Sequence, residues 1–192
     1  MSTRGAFGYR VDGKDYVTYN HFDSDPGGLG ADIANFVQTI NTEKGWGRFK
    51  KYAQRVELVS EQTNASRELV ERYKRYSDLS VGSGKAQSWY CLLRKIQGVP
   101  TLTEIFSGPL GHMIDSQGFL LDSLFCEYAY IINLDTMSLE CYVGFQKQPK
   151  PSNRYGTNND RGYYPVALMG NLPLESLTLQ KIVDLYKKEE DE

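Results

Sequence analysis

Two stretches near the start of the chain alternate apolar and polar residues with the period of a β-strand. Ala6-Phe7-Gly8-Tyr9-Arg10-Val11 and Tyr16-Val17-Thr18-Tyr19-Asn20 flank Asp12-Gly13, a pair that accepts the positive φ angles of a tight hairpin turn. The pattern predicts an antiparallel hairpin, and that pairing brings residues 2–4 beside Asn20. Asp25-Pro26-Gly27-Gly28-Leu29-Gly30 then feeds a helix from about Ala31, with Ile33, Phe36, Val37 and Ile40 as its apolar stripe. Free amides at such a helix start can hold a carboxylate or phosphate. A strand-to-helix turn that needs glycine accounts for the same residues.

From Trp46 to about Gln97 the periodicity is helical with breaks. Arg48, Lys50, Lys51, Arg55, Arg67, Arg72, Lys74 and Arg75 are balanced by Glu57, Glu61, Glu68 and Glu71, the mixture expected of solvated helix faces. Trp89, Leu92, Leu93 and Ile96 mark a helix ending at Gly98, and Thr101–Phe106 a short one after Pro100. Residues 127–133 and 139–144 read as strands around a turn containing Asp135-Thr136-Met137, a second hairpin. Residues 146–162 lack periodicity and read as a long mobile loop, a candidate lid. A further strand is expected within 163–169, after Pro165, and a closing helix through Leu177, Ile182, Val183 and Tyr186, with a solvated acidic tail at 187–192. These elements predict one α+β domain over 1–192. Its antiparallel sheet comes from the N-terminal and central hairpins, with a helical insertion over about 31–107 and a C-terminal helix.

Composition narrows the function. The 192 residues carry a formal charge of −2, which gives no electrostatic case for a nucleic-acid polymer or a membrane surface. No apolar run approaches the roughly 18 residues of a membrane span, and no secretion-signal pattern opens the chain. Cys91, Cys126 and Cys141 sit in apolar segments without metal-ligand spacing, as reduced core residues of a cytoplasmic protein do. No metal or cofactor is expected. Val81-Gly82-Ser83-Gly84-Lys85-Ala86 fails as a phosphate loop, because Leu79 and Ala86 stand where that motif needs glycine and Ser or Thr. Fourteen tyrosines suit either a core or a binding surface, since each joins an apolar body to a polar tip.

The chemistry concentrates where residues 2–4 meet the cluster Tyr19-Asn20-His21-Phe22-Asp23-Ser24. Removal of Met1 would leave Ser2 with a free α-amine, which titrates at about 7.7–8.0 and can act as a local base. In that arrangement Ser2 attacks, Asp23 orients the amine, Asn20 donates to the oxyanion, and His21 is an alternative general base. The plainer reading makes Asp23 and Ser24 turn and cap residues and His21 a loop residue bonded to backbone.

Thr3-Arg4-Gly5, the 19–24 cluster, Trp89-Tyr90-Cys91-Leu92-Leu93-Arg94 and Leu121-Asp122-Ser123-Leu124-Phe125-Cys126-Glu127-Tyr128-Ala129-Tyr130 resemble an uncharacterised family of small bacteriophage and bacterial proteins. That resemblance runs through most of the chain and implies no particular activity. The first thirty residues are also similar to N-terminal-nucleophile hydrolases of the bile-salt-hydrolase and penicillin-acylase kind, which begin Met-Cys-Thr and reach an Arg-Asn-x-Asp cluster after a hairpin. Here Ser2 replaces the cysteine, Tyr19 the arginine, and one extra residue separates Asn20 from Asp23. The second resemblance implies hydrolysis of an amide-like bond in a small polar molecule. The competing expectation is a non-catalytic ligand or partner binder; a phage-like origin would suit one that, in the host cytoplasm, sequesters a host nucleotide signal or blocks a host protein. Arg4, Tyr9, Arg10, Tyr19, Arg154, Tyr155 and Arg161 are the candidate ligand-binding residues, since guanidinium pairs with anions and aromatic faces stack on bases.

Overall fold

The computed structural model describes residues 3–158 and 161–190, with only the backbone described for 188–190. The first hairpin forms as its pattern requires: β1 (Gly5–Val11) pairs antiparallel with β2 (Lys14–Asn20), Gly5 opposite Asn20. Asp12 and Gly13 take φ values of 50° and 75°, the doubly left-handed turn that follows strand twist. Helix α1 (Leu29–Glu43) buries Ile33, Phe36, Val37 and Ile40, the stripe its periodicity sets out. Next come α2 (Trp46–Ala53), β3 (Glu57–Val59), α3 (Arg67–Tyr73), α4 (Trp89–Leu92), α5 (Pro100–Ser107) and β4 (His112–Ile114). The second hairpin is β5 (Tyr128–Asn133) with β6 (Ser138–Val143), and β7 (Ala167–Pro173) and α6 (Leu179–Glu190) complete the chain.

The main sheet runs β2-β1-β5-β6-β7, antiparallel throughout except where β1 and β5 pair in parallel to join the two hairpins. A turn residue clamps that junction: the Asp135 carboxylate accepts from the Asp12 and Gly13 amides at 2.8 and 2.9 Å. One face carries Phe7, Tyr9, Tyr130, Ile132, Leu139 and Cys141 into the main core against Ile33, Val37, Ile40 and Phe49. The other buries Ala6, Val17, Ala129, Ile131 and Tyr142 beneath Leu120, Cys126 and Val166. Strand β5 is covered on both faces, and it accordingly reads as an unbroken apolar run rather than an alternation.

Three elements differ from the sequence pattern. The helix expected to run to Gly98 stops at Leu92, and Arg94–Ile96 form one 3-10 turn. The insertion is not purely helical, because β3 and β4 form a small parallel sheet. The last strand starts after Pro165 as expected, at Ala167, but runs past Met169 to Pro173. All three cysteines are buried and free of disulfides.

Candidate functional site

Strand β2 is a sheet edge, and its last residues form one wall of a cleft against the insertion. Thr18 and Tyr19 face Tyr90, Leu93, Gln97, Gly98 and Thr101, while Met113, Ile114, Ser116 and Glu61 close the third side. The enclosed slot holds about 180 Å³. At one end the Ser116 amide donates to Val17 O at 2.9 Å, and at the other Gly98, at φ 83°, lies beside the side-chain oxygen of Asn20. The Tyr90 ring lies against Gly82, where a β-carbon would come within 2.9 Å of it. The Gly-Ser-Gly stretch thus seats this ring through close approach.

Gln97 also borders a polar lobe of about 340 Å³ lined by Asn20, His21, Phe22, Asp78, Arg94 and Lys95. A neighbouring recess of about 310 Å³ adds Asp23, Gly27, Gly28 and Asp32. Arg94 donates to the side-chain oxygen of Gln97 and lies 5.5 Å from the Tyr90 ring centre. Among the described residues no carboxylate comes within ion-pair distance of Arg94 or Lys95. Asp78 accepts from the Ser80 hydroxyl and amide at 2.6 and 2.9 Å. Those bonds, and then the charges of Lys95 and Arg94, hold its carboxyl below the usual range. Burial pushes the Tyr19 hydroxyl up, with Arg4 pulling it back.

The structure brings Asn20, His21, Asp23 and Tyr19 together at this cleft. The Asn20 amide donates to Phe22 O at 2.5 Å and to Ser24 Oγ at 2.9 Å, so it shapes its own loop. His21 Nδ1 is hydrogen-bonded to the Tyr19 hydroxyl at 2.8 Å. Asp23 sits at φ 48° and its carbonyl accepts the Leu29 amide at 2.7 Å, the start of α1. Asp25 accepts the Gly27 and Gly28 amides at 2.8 and 3.2 Å, so the glycine-rich turn is capped from within. The Ser24 amide donates to Thr3 Oγ1 at 2.8 Å, which ties the start of the described chain to this cluster. Ser2 lies outside the described residues.

The other expected ligand residues lie elsewhere. Tyr9 is a core residue, fully buried, its hydroxyl donating to Ala53 O at 3.0 Å. Arg10, Arg154 and Tyr155 gather on the outer sheet face. There Arg154 forks onto Glu140 at 2.9 and 2.6 Å and reaches Asp15 at 3.1 Å. Arg10 bonds Asp15 at 3.0 Å, and Tyr155 packs on Tyr142. Arg10 stands at the turn end of the hairpin and Asn20 at the opposite end, on the order of 15 Å away along the strands. The loop around Arg154 therefore straps the outer face and does not cover the cleft. Arg4 and Arg161 place their guanidiniums 4.8 and 5.8 Å from the Phe125 ring centre.

Tyr90, Arg94, Lys95, Gln97, Glu61 and Asp78 went unrecognised in the pattern. Tyr90, Arg94 and Gln97 do recur at i, i+4 and i+7, opposite the apolar stripe of Trp89, Leu92 and Ile96. The fold and cleft define an α+β domain with a small-molecule-sized site at a sheet edge. No protein family, curated protein or solved structure was found to match the chain. Among the described residues no group of three or more His, Cys, Asp or Glu is placed to hold a metal ion, and no helix is long and apolar enough to cross a membrane.

Proposed function

We propose that the protein binds a small planar molecule carrying an anionic group and holds it without chemical change. The observation that carries this reading is the meeting of two cavities at Gln97, which lines both. An apolar slot walled by Tyr19 and Tyr90 adjoins there the lobe of Arg94 and Lys95, cations with no carboxylate at ion-pair distance among the described residues. Few convergent polar groups in a mostly apolar slot is the usual make-up of a ligand site, and a guanidinium forks onto phosphate or carboxylate. With its amide protons engaged by Phe22 and Ser24, Asn20 is poorly placed to support an oxyanion. Such a binder suits the sequestration of a nucleotide signal.

Thermal unfolding with nucleoside monophosphates tests this. A raised Tm is expected, by the mass action of a ligand that binds only the folded state, with little effect from inorganic phosphate alone. Tyr90→Ala should weaken binding roughly 5- to 100-fold, the range of a lost base–aromatic stack, and Arg94→Ala should weaken it through the anion. No stabilisation by any aromatic anion would sink the reading.

A second reading keeps hydrolysis at Ser2, favoured by the hydrogen bonds that hold Thr3 at Ser24. Ser2→Ala separates the two, since it should abolish amide cleavage and leave binding at the cleft intact. Mass spectrometry showing Met1 retained would end the hydrolase reading.

A further inference from the structure

The slot has two chemically different ends. Val59 pairs with Ile114, so Glu61, two residues further on, lies with Ile114 and Ser116 at the Val17 end of β2. Gln97 and Gly98 lie at the Asn20 end, where the lobe with Arg94 and Lys95 opens. Val17 to Asn20 is three strand residues, about 10 Å. Glu61 is the one charged residue among those that line the slot. Among the described residues its carboxylate has no cation at ion-pair distance and no hydrogen-bond donor.

We infer that the ligand of this cleft is a guanine nucleotide, with Glu61 reading the base edge, Tyr90 and Tyr19 enclosing the ring, and Arg94 and Lys95 holding the phosphate. The inference rests on the cleft being the binding site proposed above. An ionised carboxylate only accepts, through two oxygens side by side, and is best satisfied by two adjacent donors. Guanine alone among the common bases offers that pair, N1–H beside the N2 amino group. Adenine and cytosine set a ring nitrogen acceptor next to their amino donor, and uracil flanks its single N–H with two carbonyls. Each of these turns a lone pair toward one carboxylate oxygen. A site built to accept two hydrogen bonds discriminates against bases that cannot supply both. The spacing fits the same order: base at the Glu61 end, sugar near Gln97, phosphate in the lobe.

Calorimetric titration of the full chain with guanosine, inosine and adenosine 5′-monophosphates tests this, since inosine lacks only the 2-amino group. The guanine nucleotide should bind roughly 10- to 100-fold tighter than the other two, as expected for hydrogen bonds to a charged group. Glu61→Gln should bring the three within about 3-fold of one another, because the amide replaces one acceptor by a donor. Glu61 is solvent-exposed, and an unchanged urea midpoint will show that the variant folds. Arg94→Ala should weaken all three alike. Equal affinities in the wild type, or a Glu61→Gln variant that keeps its guanine preference, would overturn the inference while leaving the cleft a binding site. Binding of none of the three would overturn both.

Discussion

Arg154→Ala is expected to destabilise the fold by about 3 kcal/mol at neutral pH, the low end for removing one partner of a buried ion pair because Arg154 keeps some contact with water. The side chain crosses the outer sheet face and satisfies two carboxylates at once, Glu140 with 7% of its side chain exposed and Asp15 with 9%. Burial alone would push the Glu140 carboxyl up. The bonds from Arg154, Asn133 and Tyr142, together with the guanidinium charge, outweigh burial and hold it below the usual range. A depressed carboxyl contributes stability that is fully present above its unfolded value, about 4.3, and is lost as pH falls through the folded value. In Arg154→Ala the sign reverses. Glu140 is then buried with fewer partners, its carboxyl is raised, and protonation relieves the folded state. The gap between wild type and variant should therefore be widest near pH 7 and narrow below about pH 4. Urea unfolding at both pH values measures it. Arg154→Met with Glu140→Leu should recover only part of the loss, since it leaves Asp15 with Arg10 alone and the buried Asn133 amide and Tyr142 hydroxyl without their acceptor. A single variant as stable as wild type at pH 7 would show that the strap contributes nothing to the sheet.

What was legible in the chain was local. Asp12-Gly13 set the first hairpin because few other residues accept two positive φ angles in succession, and the α1 stripe announced its buried face. The parallel union of β1 with β5 has no local signal, since the two strands lie more than a hundred residues apart. The only hint is that Ala129 to Ile132 are buried on both faces, as in a central strand. Strands β3 and β4 have three residues each, too few for an alternation to rise above the charged helical pattern around Glu57. At the site, turn chemistry marked Asn20 to Asp23, and the opposite wall was hidden in a segment that reads as one amphipathic helix. Tyr9 and Arg154 show the reverse difficulty. Their chemistry suits ligand binding equally well; only strand register assigns Tyr9 to the core, and only its long-range bonds to Glu140 and Asp15 assign Arg154 to a strap.

Gly5→Ala should harm both the sheet and the cleft, because at Gly5 the two are separated by no more than a hydrogen atom. Strand β1 enters the sheet there between Asn20 of β2 and Tyr128 of β5, with Ser24 folded back over it. A β-carbon at position 5 would overlap the Tyr128 carbonyl oxygen and come within 2.7 Å of Ser24 Cβ and 2.9 Å of Ser24 Oγ. The first obstacle is backbone held in the β1–β5 ladder and cannot rotate away. The second is a fully buried side chain whose hydroxyl accepts the Asn20 amide and whose own amide donates to Thr3. Overpacking of this kind costs about 1–3 kcal/mol and more where backbone must move, so a fall of roughly 3 kcal/mol is expected, or about 6–12 °C in Tm for a domain of this size. Since the Tyr128 carbonyl cannot give way, the β1 backbone must shift away from it toward Ser24, and displacing Ser24 releases the Asn20 side chain that borders the polar lobe. Nucleotide affinity should then drop even well below the melting temperature, where the chain is still folded. If the variant instead loses stability but binds the nucleotide as tightly as the wild type, the 20–24 loop is not part of the site and the ligand contacts lie wholly on the insertion.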